Sequence, residues 1–273
     1  MLHAAADEFV AERAQQQIGV GDGHDADLMA RDVVLLHGFT HTGASWDPVV
    51  AALAESYRAL APDIRGHGAA AGRAPVTLEA VLDDLAAQAP ERFTLVGYSM
   101  GGRIALHAAL APPLAGRVDQ LVLIGASPGI ADPAERAERR AADDRLADEV
   151  EDMSIEEFAR RWAQTPVLAG QPPAVAATVL ADRLRNQPAG LAGALRGLGT
   201  GALGSLWDRL SEVQAPTTLI AGERDAKFRA IASDMARALP AADVAVIPGA
   251  GHAVHLEAPE SVANLIARRS PAA

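Results

Sequence analysis

The chain has no cysteine in its 273 residues. That excludes disulfides, thiolate metal sites and a cysteine nucleophile together. Lysine is nearly missing too: Lys227 stands alone, and arginine carries the rest of the positive charge. Aromatic side chains make up 4% of the residues, net charge is −11, and no basic stripe is interleaved with aromatics. A nucleic-acid partner is therefore not expected. No apolar stretch approaches the roughly 18 residues needed to cross a bilayer, so no membrane insertion is expected either. The N-terminus lacks the positive-then-apolar pattern of a secretory signal, which makes a cytoplasmic location the expectation. No metal-ligand cluster or nucleotide-binding glycine loop is visible, so no metal and no cofactor are expected. What is present is 49% hydrophobic, enough for a sizeable core in one large domain or one with an inserted subdomain.

Short β-rich runs alternate with helix-like stretches, the pattern of a parallel sheet covered by helices on both faces. The runs are Val33–Leu36, Tyr57–Ala61, Phe93–Val96, Gln120–Ile124, Thr217–Ala221 and Val244–Ile247. Helical patterns include Leu78–Ala87, Gly102–Leu110, Arg229–Leu239 and Ser261–Arg269. The alternation stops between Ile124 and Thr217. There the chain reads as several helices rich in Ala, Arg, Asp and Glu, broken at Pro166, Gly170 to Pro173 and Gly197 to Gly204. An all-helical insertion between two strands reads as a cap over the active face. The expected organisation is a core in two parts, 31–130 and 211–273, with a helical cap at 131–210. Residues 1–30 stay unassigned: Glu8–Gln17 has helical character and Gly19–Asp27 looks like a linker.

One five-residue stretch carries most of the chemistry. Gly97-Tyr98-Ser99-Met100-Gly101 follows an apolar run and opens a helix-like stretch, the strand–turn–helix context of a G-x-S-x-G nucleophile elbow. The pattern alone is weak, since a helix N-terminus with a capping serine looks similar. A serine nucleophile needs a base, and the base needs an orienting acid. His252, in a Gly-rich loop after the last β-run, is the base candidate, with His255 as competitor. Asp225 follows the preceding run and is the acid candidate, ahead of Glu223 and Asp243. The order Ser99, Asp225, His252 is the one α/β-hydrolases use. Oxyanion donors should be backbone N–H groups, one on Met100 after the nucleophile and one on Phe39 in His37-Gly38-Phe39-Thr40. His37 and His67 read as residues that fix loops.

These pieces resemble the α/β-hydrolase superfamily and, within it, the 2-succinyl-6-hydroxy-2,4-cyclohexadiene-1-carboxylate synthases of menaquinone biosynthesis. The matching segments are LLHGFTHTGASW (35–46), LVGYSMGGRIAL (95–106), SPG (127–129), LGTGALGSLW (198–207), GERDAKF (222–228) and PGAGHAVHLEAP (248–259). The HGF turn, the elbow and the Gly-His loop are generic to the superfamily. GYSMGGR, the GTG…SLW segment, ERDAKF and GHAVHLE-P are the more specific ones. Departures exist: Ala69-Ala70 follow GHG where a serine is usual, and Leu203-Gly204 stand where Gln-Pro is frequent. The antiparallel strands that often open the fold are not visible in residues 1–30.

The resemblance implies an α/β-hydrolase fold and a lyase rather than a hydrolase. Pyruvate is eliminated from a cyclohexene dicarboxylate bearing a succinyl group, with Ser99 as a general base. A small polycarboxylate substrate calls for arginines, whose planar fork pairs with carboxylates bidentately. Arg103 lies four residues beyond Ser99, hence on the same helix face one turn away. The resemblance also places Arg139, Trp162 and Arg185 among substrate-binding residues, and Tyr98 beside the nucleophile faces the pocket. Each has an ordinary reading as well: an ion-paired arginine, a solvated helix face, cap core. Two alternatives carry other functions, a carboxylesterase or carbon–carbon bond hydrolase with the same triad, and a non-catalytic ligand receptor on the same fold.

Overall fold

The computed structural model describes residues 30–268, apart from 166, 167 and 169. The readings of residues 1–29, the break at Pro166 and the helix end at Arg269 lie outside the described residues. Six strands form one sheet: β1 (Arg31–Leu36), β2 (Tyr57–Leu60), β3 (Phe93–Tyr98), β4 (Val118–Ile124), β5 (Thr217–Gly222) and β6 (Ala242–Ile247). Their order is β2-β1-β3-β4-β5-β6, and every neighbouring pair is parallel. Central strands of such a sheet are covered on both faces and read as continuous apolar runs. β5 is buried throughout, whereas the edge strands β2 and β6 are partly exposed.

The two faces of the sheet bury different sets. Val34, Leu36, Leu95, Leu121 and Leu123 face one layer, formed with α2 (Leu78–Gln88), α3 (Met100–Leu110) and α8 (Ala226–Ala238). Val33, Leu35, Val96, Val122 and Ile124 face the other, with α1 (Asp47–Ala52) and α9 (Pro259–Ala267). Each fully buried Leu, Ile or Val contributes about 1.5–3 kcal/mol. Strand order reverses between β1 and β3. In parallel sheets, ligands bind in the crevice outside the strands' C-terminal ends at such a switch point.

Between β4 and β5 the chain is helical, with α4 (Pro133–Glu151), α5 (Ile155–Trp162), α6 (Pro173–Arg183) and α7 (Pro188–Leu198). Asp132 and Ser154 cap α4 and α5 by accepting from the N–H groups of Glu135 and Glu157. Ala147, Val150, Phe158, Leu191, Ala192 and Leu195 make a small apolar cluster in this insertion, and Phe39 of the core packs against it. Among the described residues, no helix is long and apolar enough to cross a membrane.

Several elements run further than their sequence suggests. β3 continues through Gly97 and Tyr98 because both pair with β4, at Leu123 and Ile124, so the strand reaches Ser99 itself. β1 begins at Arg31 and β6 at Ala242, where pairing to β2 and β5 carries the strands over Arg31, Asp32 and Asp243, which are not apolar. α8 starts three residues early because Asp225 caps it.

Candidate active site

Ser99 sits between β3 and α3 with φ 51° and ψ −108°. A non-glycine residue there is strained, and the strain lifts the hydroxyl off the turn. The elbow tolerates no side chain on either flank. A Cβ on Gly97 would lie 2.4 Å from the Gly101 carbonyl oxygen, and one on Gly101 would lie 2.2 Å from that of Leu36.

The loops after β5 and β6 meet at this turn. Asp225 accepts from His252 Nδ1 at 2.7 Å, and His252 Nε2 lies 3.2 Å from Ser99 Oγ. With the Nδ1 proton held on the carboxylate, Nε2 is left to accept the serine O–H. Asp225 and His252 are buried, at 8% and 6% exposure. Asp225 also accepts the Phe228 N–H at 3.2 Å, so the cap of α8 fixes the acid. The Tyr98 and Phe228 rings flank the imidazole at 5.3 and 4.6 Å.

His255, the competing base, is fully buried between Trp46 and Tyr98, with ring centroids 4.7 and 4.2 Å away. Neither of its ring nitrogens has a hydrogen-bond partner, and burial holds its pKa well below the usual value. His37 ties two strand ends together: its Nε2 accepts the Ile64 N–H at 2.9 Å and its Nδ1 donates to Gly38 O at 2.9 Å. Burial lowers its pKa to about 4. His67 packs edge-on against His37 and Phe39, at 4.9 and 5.8 Å, and burial lowers its pKa to about 3.

The two expected oxyanion donors come from neighbouring backbone. Met100 opens α3, where N–H groups have no intrahelical acceptor. Gly101 abuts the carbonyls of Leu36 and His37, which brings the start of α3 against the loop that carries Phe39. Trp162 stacks edge-on upon Phe39 at 5.1 Å, so a residue of the helical insertion touches the same loop.

The arginines separate into two groups. Arg103 N–H bonds Ser99 O at 3.1 Å, one turn on, as helical spacing demands. Its guanidinium is buried, donating to Thr200 Oγ1 at 2.7 Å and reaching toward Leu198 O at 3.5 Å. Burial first, and Arg139 second, pull its pKa down to about 10, so it stays cationic at neutral pH. Arg139 is half exposed and pairs with Asp143 at 2.7 Å, and Asp143 also accepts the Gly201 N–H at 3.3 Å. The GTG turn of the cap thus lies between Arg103 and α4.

Arg185 is placed differently from the expectation. It is exposed and lines a cavity of about 400 Å³ with Thr42, Asp63 and Ala69, to which none of Ser99, Asp225 and His252 contributes. Arg183, at the end of α6, is the arginine of the helical insertion that turns inward. It is 2% exposed, donates through Nε to Thr40 Oγ1 at 3.2 Å, and leaves one terminal nitrogen without a partner. Its charge is felt by Tyr98, and burial lowers its own pKa to about 10. Sequence reasoning missed it, although the signal exists. Arg183 stands four residues beyond the buried Val179, on the same face of α6, whereas Arg185 lies past the helix end. Among the described residues, no group of three or more His, Asp or Glu side chains is arranged to hold a metal ion.

Comparison with known proteins agrees with this architecture. The alpha/beta hydrolase family model matches residues 33–265. A putative 2-succinyl-6-hydroxy-2,4-cyclohexadiene-1-carboxylate synthase of Bacillus subtilis (strain 168) is 36% identical over 247 residues, 86% of this chain and 88% of that protein. The 2-succinyl-6-hydroxy-2,4-cyclohexadiene-1-carboxylate synthase of Salmonella paratyphi C (strain RKS4594) is 34% identical over 245 residues, 88% of this chain and 93% of that protein. Among solved structures, MenH from S. aureus superposes with a TM-score of 0.82 at 30% identity, covering 87% of this chain and 92% of that one.

Proposed function

The chain belongs to the alpha/beta hydrolase family, and on that premise we propose that it is a 2-succinyl-6-hydroxy-2,4-cyclohexadiene-1-carboxylate synthase. In this reading it eliminates pyruvate from 2-succinyl-5-enolpyruvyl-6-hydroxy-3-cyclohexene-1-carboxylate, a cytoplasmic step toward menaquinone. One observation supports the substrate class: Arg103, on the helix that follows Ser99, and Arg183, bonded to Thr40 next to Phe39, are both buried in a chain of net charge −11. Such a chain repels polyanions, so local positive charge has to overcome the overall field.

The proposed reaction is proton abstraction without a covalent intermediate. Ser99 Oγ takes a ring proton while its own proton passes to His252 Nε2, and Asp225 stabilises the imidazolium. The ring proton lies on carbon conjugated with a carbonyl, so the electron pair moves onto oxygen, where Phe39 and Met100 N–H groups receive it. Collapse of that charge breaks the carbon–oxygen bond to the enolpyruvyl group. The departing enolpyruvate recovers a proton, for which His252 is the local source, and becomes pyruvate. An oxyanion donor is typically worth about 10²–10³ in rate, and a positioned base about 10²–10⁴. Arg103, Arg183 and Arg139 hold carboxylates, Tyr98 and Trp162 line the substrate, and residues 131–210 act as the cap that excludes water.

A spectrophotometric assay with the cyclohexene substrate tests the reading. Diene absorbance and pyruvate should rise together, far faster than p-nitrophenyl esters are hydrolysed. The opposite ranking would make the protein an esterase.

A further inference from the structure

The loop after β1 that carries Phe39 is held in a backbone conformation its own residues disfavour. Thr40 has φ +69°, a left-handed value that a β-branched side chain resists. Such a residue persists only where its surroundings over-determine it. Here the surroundings come from the end of one cap helix. Asn186 Nδ2 donates to Thr40 O at 2.9 Å, and Arg183 Nε donates to Thr40 Oγ1. The Asp182 carboxylate accepts the Thr42 N–H at 3.0 Å, His41 Nδ1 at 3.0 Å, and the Thr42 hydroxyl. Asn186 also accepts the Gly68 N–H at 3.0 Å, which ties in the loop after β2. Asp182 and Asn186 are 6% and 4% exposed. A helix that needed only an anchor on the core could bond any part of it. All of these bonds but the one to Gly68 converge on residues 40–42, and one of them grips the carbonyl of the strained residue next to Phe39.

We propose that Asp182 and Asn186 are positioning residues for the oxyanion hole: they clamp the Thr40–Thr42 backbone so that Phe39 N–H stays aimed at the developing charge, and seating of α6 is thereby a condition for turnover. The inference rests on the reading of Phe39 as an oxyanion donor in the proposed reaction. Neither residue touches the reacting atoms. Their effect should therefore fall on kcat and leave KM nearly alone, because ground-state binding relies on the arginines instead.

The test uses Asn186→Ala, which removes the grip on Thr40 without stranding a buried charge. Losing an oxyanion donor outright costs about 10²–10³ in rate; misaiming one should lower kcat by about tenfold or more, with KM within about threefold. Glycine adopts positive φ without steric penalty, so adding Thr40→Gly to Asn186→Ala should restore several-fold of the lost kcat. A helix anchor that had merely been loosened would gain nothing from that second change. Asp182→Asn, a milder loss on the same clamp, should show the same split if Asn186→Ala folds poorly by circular dichroism. A kcat unchanged in both folded variants, or a double variant no faster than Asn186→Ala, overturns the proposal.

Pyruvate release and p-nitrophenyl ester hydrolysis are both followed, since one oxyanion hole serves both. A protein inactive on the cyclohexene substrate whose ester hydrolysis still shows the loss and the rescue keeps the clamp and sinks the synthase reading. Pyruvate release that survives Asn186→Ala at the parent kcat does the reverse.

Discussion

Two buried Asp–His pairs lie on either side of Tyr98, whose ring is 5.3 Å from His252 and 5.8 Å from His41. As pairs they are nearly the same object. Asp225 holds His252 Nδ1 at 2.7 Å and Asp182 holds His41 Nδ1 at 3.0 Å. Each carboxylate also takes a backbone N–H, from Phe228 in one case and Thr42 in the other. The difference is in what each pair connects. Asp225 and His252 stand on two strand-end loops of the core, and the free nitrogen of His252 faces Ser99. Asp182 rides on a cap helix, and its pair joins that helix to the loop after β1. A buried carboxylate–imidazole contact therefore does not define a role; the group beyond the imidazole does. On our reading the first pair moves a proton and the second holds a loop still.

The largest expected effect breaks the resemblance between the two pairs. Asp225→Asn should lower kcat on the order of 10⁴-fold, as loss of an orienting carboxylate does in serine triads. Ser99→Ala and His252→Ala should be comparably severe, and their combinations non-additive, because the three act as a unit. Asp182→Asn should cost far less in rate. A crippling His255→Ala beside a mild His252→Ala would reverse the assignment of the base.

Next come the arginines, read by steady-state kinetics with the cyclohexene substrate. A hydrogen bond to a charged group is worth about 1.5–3 kcal/mol, so Arg103→Ala and Arg183→Ala should each lower kcat/KM by about 10- to 10²-fold. Arg103→Lys should recover only part, since lysine keeps the charge and loses the fork. Arg139→Ala should act more weakly and mainly on KM, because that side chain is 45% exposed and already paired with Asp143. Arg185→Ala should leave the kinetics unchanged. An Arg185 effect exceeding that of Arg183 would put the substrate in the outer cavity.

The last effect falls on acid stability, and rate is not its readout. Burial lowers His37 and His107 to about 4 and His67 to about 3, from an ordinary 6.5, and pushes His41 and His255 down as well. The fold therefore keeps these rings neutral, while the unfolded chain gains protons below about pH 6.5. Their contribution is complete above that pH and is lost as pH falls toward about 4, at up to about 1.4 kcal/mol per unit for each ring. Calorimetry from pH 7.5 to 5 should show a falling Tm, and His107→Gln should make that fall shallower. A Tm independent of pH across this window would contradict the assignment.

Much of this was legible in the sequence because the core writes its chemistry locally. Ser99, Asp225 and His252 each follow an apolar run and sit among small residues, so order and context mark them as candidates, and the structure brings the three side chains within hydrogen-bond distance. The strand beginnings were not legible: Arg31 and Asp32, like Ala242 and Asp243, become β through their partners rather than through their own character. The cap was harder for a related reason. Helical spacing puts Arg183 on the buried face that Val179 marks, whereas the resemblance points to Arg185, past the helix end. The clamp left no local trace, since Asp182 and Thr42 stand 140 residues apart. The left-handed conformation of Thr40 runs against threonine's own preference.

The central claim is elimination by a serine that never becomes acylated, and rapid-quench mass spectrometry of the enzyme with the cyclohexene substrate addresses it directly. Pyruvate should accumulate from the first turnover while Ser99 keeps its unmodified mass at every time point. A substrate-derived adduct on Ser99 that forms and decays at the rate of turnover would contradict the account and return this chain to covalent hydrolase chemistry.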